Sequence, residues 1–201
     1  MIYEDLQNQF IDVFLLTLGA RDAYTEKHSE RLSMLAREIS LGLNLSSVEI
    51  KKIVFAAKLH DIGKIGISDT ILLKPDKLTQ DEFDIIKTHP KIGADILAKI
   101  SIFSHIKDYV LYHHEKYDGS GYPSGLKEKN IPLGARIIAI VDTIDAILTR
   151  RSYKEPKPID YAVEELQRCA GTQFDPYIAD LAISIINKYK DIFIEDNVHA
   201  L

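Results

Sequence analysis

The chain has 201 residues, 46% hydrophobic and 27% charged, a balance that predicts a buried core and excludes a disordered polypeptide. Its formal net charge of −5 argues against non-specific binding to duplex nucleic acid, which requires a basic face. An anionic substrate would need bound cations to draw it in.

No apolar run approaches the roughly 18 residues of a membrane span, and the polar, acidic start MIYEDLQNQF is no signal peptide. Cys169 is the single cysteine, so no internal disulfide forms; the expected compartment is the reducing cytoplasm. Residues 1–21 read as an amphipathic helix with Leu6, Phe10, Val13 and Phe14 on its apolar side, entering a domain that runs from 22 to 201. An exposed apolar face on that helix would suit a homodimer. Leu32, Leu35, Ala36, Ile39 and Leu43 recur at spacings of three and four, which is one buried helical stripe. Ser46-x-x-Glu49 and Thr79-x-x-Glu82 have capping-box spacing and open further helices. Pro132 begins an isoleucine-rich helix over 132–149, and Asp175 followed by Pro176 opens the last long one. Cys169 follows an amphipathic run and reads as a small core hydrophobe. Helix is resisted at 63–70, 74–77, 117–131 and 151–158, and no repeat or strand pair stands out. The expected fold class is all-α, a helical bundle of about seven helices or more.

Two stretches carry chemistry. HDIGK at 60–64 places His60 and Asp61 at the end of a helix, with Lys64 beyond them; HHEKYDGSGYPSGL at 113–126 runs His113 and His114 into a glycine-rich loop. Histidine with aspartate is the donor set of borderline divalent metals, and a nearby lysine suits an anionic substrate. Neighbouring helical residues point about 100° apart, so His60 and Asp61 serve one cluster only at their shared edge. His113 and His114 are expected to repeat that geometry on a second helix. Asp142 lies among isoleucines, where a carboxylate is costly to bury without a metal or a partner such as Arg136 or Arg150. Asp145, one turn further along, would reach the rim of the same cavity. A single histidine is more often a core or surface residue than a ligand, and His89 before Pro90 alone would mark a helix boundary. Gly63 and Gly66 alone would mark a helix C-cap and a turn. The conjunction is what points to a metal site. His105 and His199 lack such company and read as surface residues.

Together these residues resemble the HD-GYP family, a branch of the HD superfamily of metal-dependent phosphohydrolases. The matching segments are YTEKHSERL (24–32), AAKLHDIGKIGI (56–67), KTHPKIGADIL (87–97), HHEKYDGSGYPSGL (113–126), IPLGARIIAIVDTIDAI (131–147) and RRSY (150–153), in the family's order. The resemblance implies metal ligands at His28, His60, Asp61, His89, His113, His114 and Asp142. Asp61 would bridge two ions, with His28, His60 and Asp142 on one and His89, His113 and His114 on the other. Some members hold a third metal through a glutamate at the position of Tyr24; tyrosine is a poor ligand for iron(II) or manganese(II), so a binuclear site is expected. Ser68 and Ser152 stand where proline is usual.

The implied reaction is hydrolysis of cyclic di-GMP to pGpG, and onward to GMP, by hydroxide bridging two divalent metals, iron or manganese by resemblance, about 3.5–4 Å apart. Asp61 and Lys64 would be the catalytic residues, Lys64 meeting the phosphate oxygens as charge develops. Tyr122, Arg151, Lys154, Asp22 and Asp145 are expected to contact substrate. Glu115 is expected to orient a ligating histidine or a water, while Gly119, Gly121 and Pro123 shape the loop. Another cyclic dinucleotide such as 3′3′-cyclic GMP-AMP is an alternative substrate. A binding module that senses cyclic di-GMP or docks a diguanylate cyclase is the alternative outside enzymology, and an N-terminal receiver, PAS or GAF sensor is an expected partner.

Overall fold

Within residues 2–20, 25–149 and 155–188, which the computed structural model describes, the chain is helical and forms no strand. An isolated bridge joins Ala170 to Phe174. Among these residues no helix is long and apolar enough to cross a membrane.

Helix α1 (Ile2–Gly19) packs on α2 (Thr25–Gly42) and α3 (Ser47–Leu59). Its packing leaves most of the expected apolar side exposed and buries a second one. Gln7, Ile11, Leu15 and Leu18 point inward at helical spacing with Phe14 partly buried, whereas Leu6, Phe10 and Val13 are exposed, as is Leu16. The helix is apolar on two sides, and the side that finds α2 and α3 is the one centred on Ile11.

Helix α2 lies against α3, α8 (Leu133–Leu148) and α10 (Pro176–Ile186), burying the predicted stripe of Leu32, Leu35, Ala36 and Ile39. Ser46 caps α3 by accepting the Glu49 amide at 3.2 Å. The Glu49 carboxylate does not close the box; it accepts from Lys52 and from the Tyr109 hydroxyl. Thr79 and Glu82 form the reciprocal box at the start of α5 (Gln80–Ile86), with bonds of 3.3 and 2.7 Å. Such caps satisfy amides that no helical carbonyl reaches, each worth about 1 kcal/mol.

A 3-10 turn, Ile62–Gly66, follows α3 and packs against α6 (His89–Ala98), and the short α4 (Asp69–Leu72) precedes α5. Helix α7 (Lys107–Leu111) ends before the paired histidines, so His113 and His114 stand on the turn after a helix rather than within one. Helix α9 (Ile159–Cys169) buries Cys169 as a core residue, and Asp175 caps α10 through the Tyr177 and Ile178 amides. Asp175 also takes the Arg136 guanidinium at 2.5 Å. Arg136 is thereby committed away from Asp142.

Candidate metal centre

Six elements bring these histidines and aspartates to one place. His28 comes from α2, His60 caps α3, Asp61 opens the 3-10 turn, His89 begins α6, His113 and His114 follow α7, and Asp142 lies on α8. His28, His60, His89 and His113 are buried, and His114, Asp61 and Asp142 are partly exposed. Three groupings have ligand atoms within 4.8 Å of one another: His28 with His60 and Asp142; His89 with His113 and His114; and His60 with Asp61 and His113.

Asp61 stands between the first two. Its Oδ2 is 3.2 Å from His60 Nε2 and its Oδ1 is 3.2 Å from His89 Nε2. One carboxylate oxygen therefore faces each half of the cluster.

The ring orientations are set from behind. His60, His89 and His113 place Nδ1 at 2.8, 2.8 and 2.6 Å from the carbonyls of Ala57, Ile86 and Val110, each three residues earlier. These carbonyls lie at helix ends, where the helix offers them no amide. Each Nε2 is then turned toward the cluster as an acceptor. His89 Nε2 and His113 Nε2 are 3.4 Å apart.

Electrostatics and donor chemistry fit a divalent cation. Burial, joined by the neighbouring imidazoles, holds His113 well below the ordinary histidine value and His114 at about 4. Both are neutral at pH 7, the form a metal requires. Burial opposes ionisation of Asp61, yet His60 and Lys64 beside it hold its carboxyl well below the ordinary carboxylate range. His60 is raised against its own burial by Asp61. Among the described residues His60 Nε2 is a buried ring nitrogen with no hydrogen-bond partner, its approach to Asp61 having the wrong geometry for one. A buried polar atom left this way is costly, and a cation removes the cost.

Lys64 reaches the edge of the cluster and donates to Asp61 Oδ2 at 2.6 Å. Tyr122 stacks on His114, ring centroids 4.9 Å apart at 29°, and its amide returns to the His114 carbonyl at 3.3 Å. The peptide between Tyr122 and Pro123 is cis. Gly121 lets the loop fold back, since a Cβ there would lie 2.2 Å from the Lys116 amide. Gly119 adopts φ of +83°, which favours glycine.

Two expectations are corrected. Asp145 is 0% exposed and cannot meet a guanine edge; it accepts from His28 Nδ1 at 2.6 Å and from Arg31. Glu115 is turned to the loop rather than to a ligating histidine: its carboxylate oxygens accept the amides of Ser124 and Leu126 at 2.6 and 3.1 Å. Arg31 was not singled out by its sequence context. Its signal was its place three residues after His28, facing an Asp145 three residues after Asp142. Asp22, Tyr24, Arg151, Ser152, Lys154 and His199 lie outside the described residues, as does Arg150.

The HD domain family model matches residues 17–178. A cyclic di-GMP phosphodiesterase of Thermotoga maritima is 40% identical over 95% of this chain and 52% of its own length. A 3′3′-cGAMP-specific phosphodiesterase of Vibrio cholerae is 37% identical over 82% of this chain and 32% of its own. The chain thus spans about half or less of these curated relatives. Among solved structures, Bd1817, an HDG"Y"P protein from Bdellovibrio bacteriovorus, shares the fold with a TM-score of 0.67 at 19% identity, covering 92% of this chain and 62% of that one.

Proposed function

Because the chain belongs to the HD-GYP branch of the HD-domain family, we propose that it hydrolyses a phosphodiester bond of cyclic di-GMP, yielding pGpG, at two divalent metal ions. The observation that carries this reading is Asp61, with one oxygen toward His60 and the other toward His89. Metals held by His28, His60 and Asp142 and by His89, His113 and His114, with Asp61 shared, would acidify a water for attack and neutralise phosphate charge. Iron or manganese would suit this nitrogen-rich donor set with its shared carboxylate.

The remaining work belongs to the protein's own groups. Lys64 at the rim meets the non-bridging phosphate oxygens when substrate draws it from Asp61. Tyr122 keeps its hydroxyl proton, because burial and the carboxylates of Asp61 and Asp142 push its ionisation up, and so serves as a donor beside the phosphate. Asp22, Arg151 and Lys154 complete our proposed substrate contacts. Further cleavage of pGpG to GMP would use the same groups.

The test is anaerobic. Protein stripped of metal receives iron(II) or manganese(II) in turn, then cyclic di-GMP, and products are separated by chromatography. We expect pGpG, with or without GMP; no turnover with both ions bound would overturn this substrate assignment. A second substrate, 3′3′-cyclic GMP-AMP, is favoured by the Vibrio relative and belongs in the same assay.

Regulation would enter through α1. We assign α1 the role of the element through which an N-terminal sensor or a diguanylate cyclase acts on the domain at 22–201, in the cytoplasm. Its outward residues Leu6, Phe10, Val13 and Leu16 form the face for a homodimer. Sedimentation of wild type against Val13→Lys measures that contact; an unchanged monomer in both would exclude it.

A further inference from the structure

Four ligand histidines are oriented from behind, and one of them differs in kind. His60, His89 and His113 each hand Nδ1–H to a neutral carbonyl left free at a helix end. His28 sits inside α2, where the carbonyl three residues back belongs to the helix ladder, and it turns to a side chain on α8 instead. That side chain is the carboxylate of Asp145, whose Oδ2 is 2.6 Å from His28 Nδ1.

We infer that the two metal positions are unequal, and that Asp145, seated by Arg31, makes the position of His28, His60 and Asp142 the one that fills first. This inference rests on the binuclear reading above. A carboxylate behind an imidazole fixes its tautomer and makes the outward nitrogen a stronger donor than a carbonyl does. His28 Nε2 looks outward toward Asp142 Oδ1, 3.8 Å away. The same grouping contains an anionic ligand of its own, Asp142, while the other is three neutral imidazoles. Both differences favour a cation on the His28 side.

Asp145 is built for this placement rather than for substrate. It is 0% exposed, so an unpaired charge there would be costly. Arg31 donates through Nε to one oxygen and through Nη2 to the other at 3.3 Å, and the Thr149 hydroxyl lies 3.3 Å from Oδ2. These bonds hold the carboxylate in register with His28. Asp145 is a positioning residue that acts through His28.

The test uses metal-stripped full chain carrying 15N-labelled histidine, titrated with zinc(II), a diamagnetic probe. The His28 and His60 Nε2 resonances should reach their coordinated shifts before those of His89 and His114. Competition titrations then give the dissociation constant of each ion in wild type and in Asp145→Asn. The substitution should weaken the first ion about 10- to 100-fold and leave the second nearly unchanged. If Asp145→Asn does not fold, the wild-type order of filling still decides. Two ions entering in step, or His89 and His114 filling first, would overturn this inference alone. Uptake of a single ion would overturn the binuclear reading and this inference with it.

Discussion

A Cβ on Gly63 would lie 1.8 Å from the carbonyl oxygen of His89 and 2.5 Å from the Gly93 amide. The turn that carries Lys64 therefore touches the first turn of α6 backbone to backbone, and this contact sets His89 against Asp61. Gly63→Ala must push the two apart, since neither obstacle is a flexible side chain. We expect a loss of about 1–3 kcal/mol or more in denaturant unfolding, with metal content reduced. Retention of both stability and metal would show that α6 is not positioned by this contact.

Asp61 faces both halves of the cluster, so its removal should affect both ions. Asp61→Ala is expected to abolish turnover and to weaken metal loading by more than the roughly 100-fold that losing an outer partner costs. Elemental analysis after dialysis, run beside the assay, measures it. Unchanged activity would sink the bridging role.

Tyr122 separates stacking from hydrogen bonding. Tyr122→Phe keeps the ring on His114, and we expect metal affinity to be unchanged while kcat/KM falls. Tyr122→Ala removes a contact worth about 0.5–1.5 kcal/mol, so affinity at the His114 position should drop by up to about tenfold. Metal titrations of the two variants distinguish these effects.

Glu115 is 3% exposed and clamps the loop by accepting two of its amides. An amide side chain offers one oxygen, so Glu115→Gln leaves the Ser124 or the Leu126 amide without its acceptor. The expected cost is about 1–3 kcal/mol. Hydrogen exchange should show faster exchange at Ser124 and Leu126 while the core of α8 stays protected.

Acid should weaken the metal-free protein. His114 ionises at about 4 in the fold, against an ordinary 6.5, because of burial first and His89 second. Between those values the unfolded chain carries a proton that the folded chain does not, so stability falls as pH drops through this window. His113, also lowered by burial, acts in the same direction. His60 is raised and acts oppositely, its contribution present at low pH and lost as pH rises through its folded value. With two lowered groups against one raised, thermal midpoints in chelator should fall between about pH 6.5 and about pH 4.5. With metal bound the fall should be steeper, since protons compete for the same nitrogens.

Much of this protein is written in short-range patterns. The helix starts at Ser46, Thr79 and Asp175, the stripe from Leu32 to Ile39, and the HD and HH pairs are legible because caps and periodicity act within a few residues. Those patterns name chemical groups and helical phase without saying what lies across from them. Only the tertiary structure decided that α1 buries Ile11 rather than Val13, because both faces of that helix are apolar and packing partners choose between them. Only it placed Asp145 behind His28 and Glu115 beneath its loop, since a carboxylate's role depends on the donors that distant helices bring within 3 Å. Sequence determined the inventory of candidate metal ligands; the packing of α2, α3, α6 and α8 turned it into a cluster with two unlike halves.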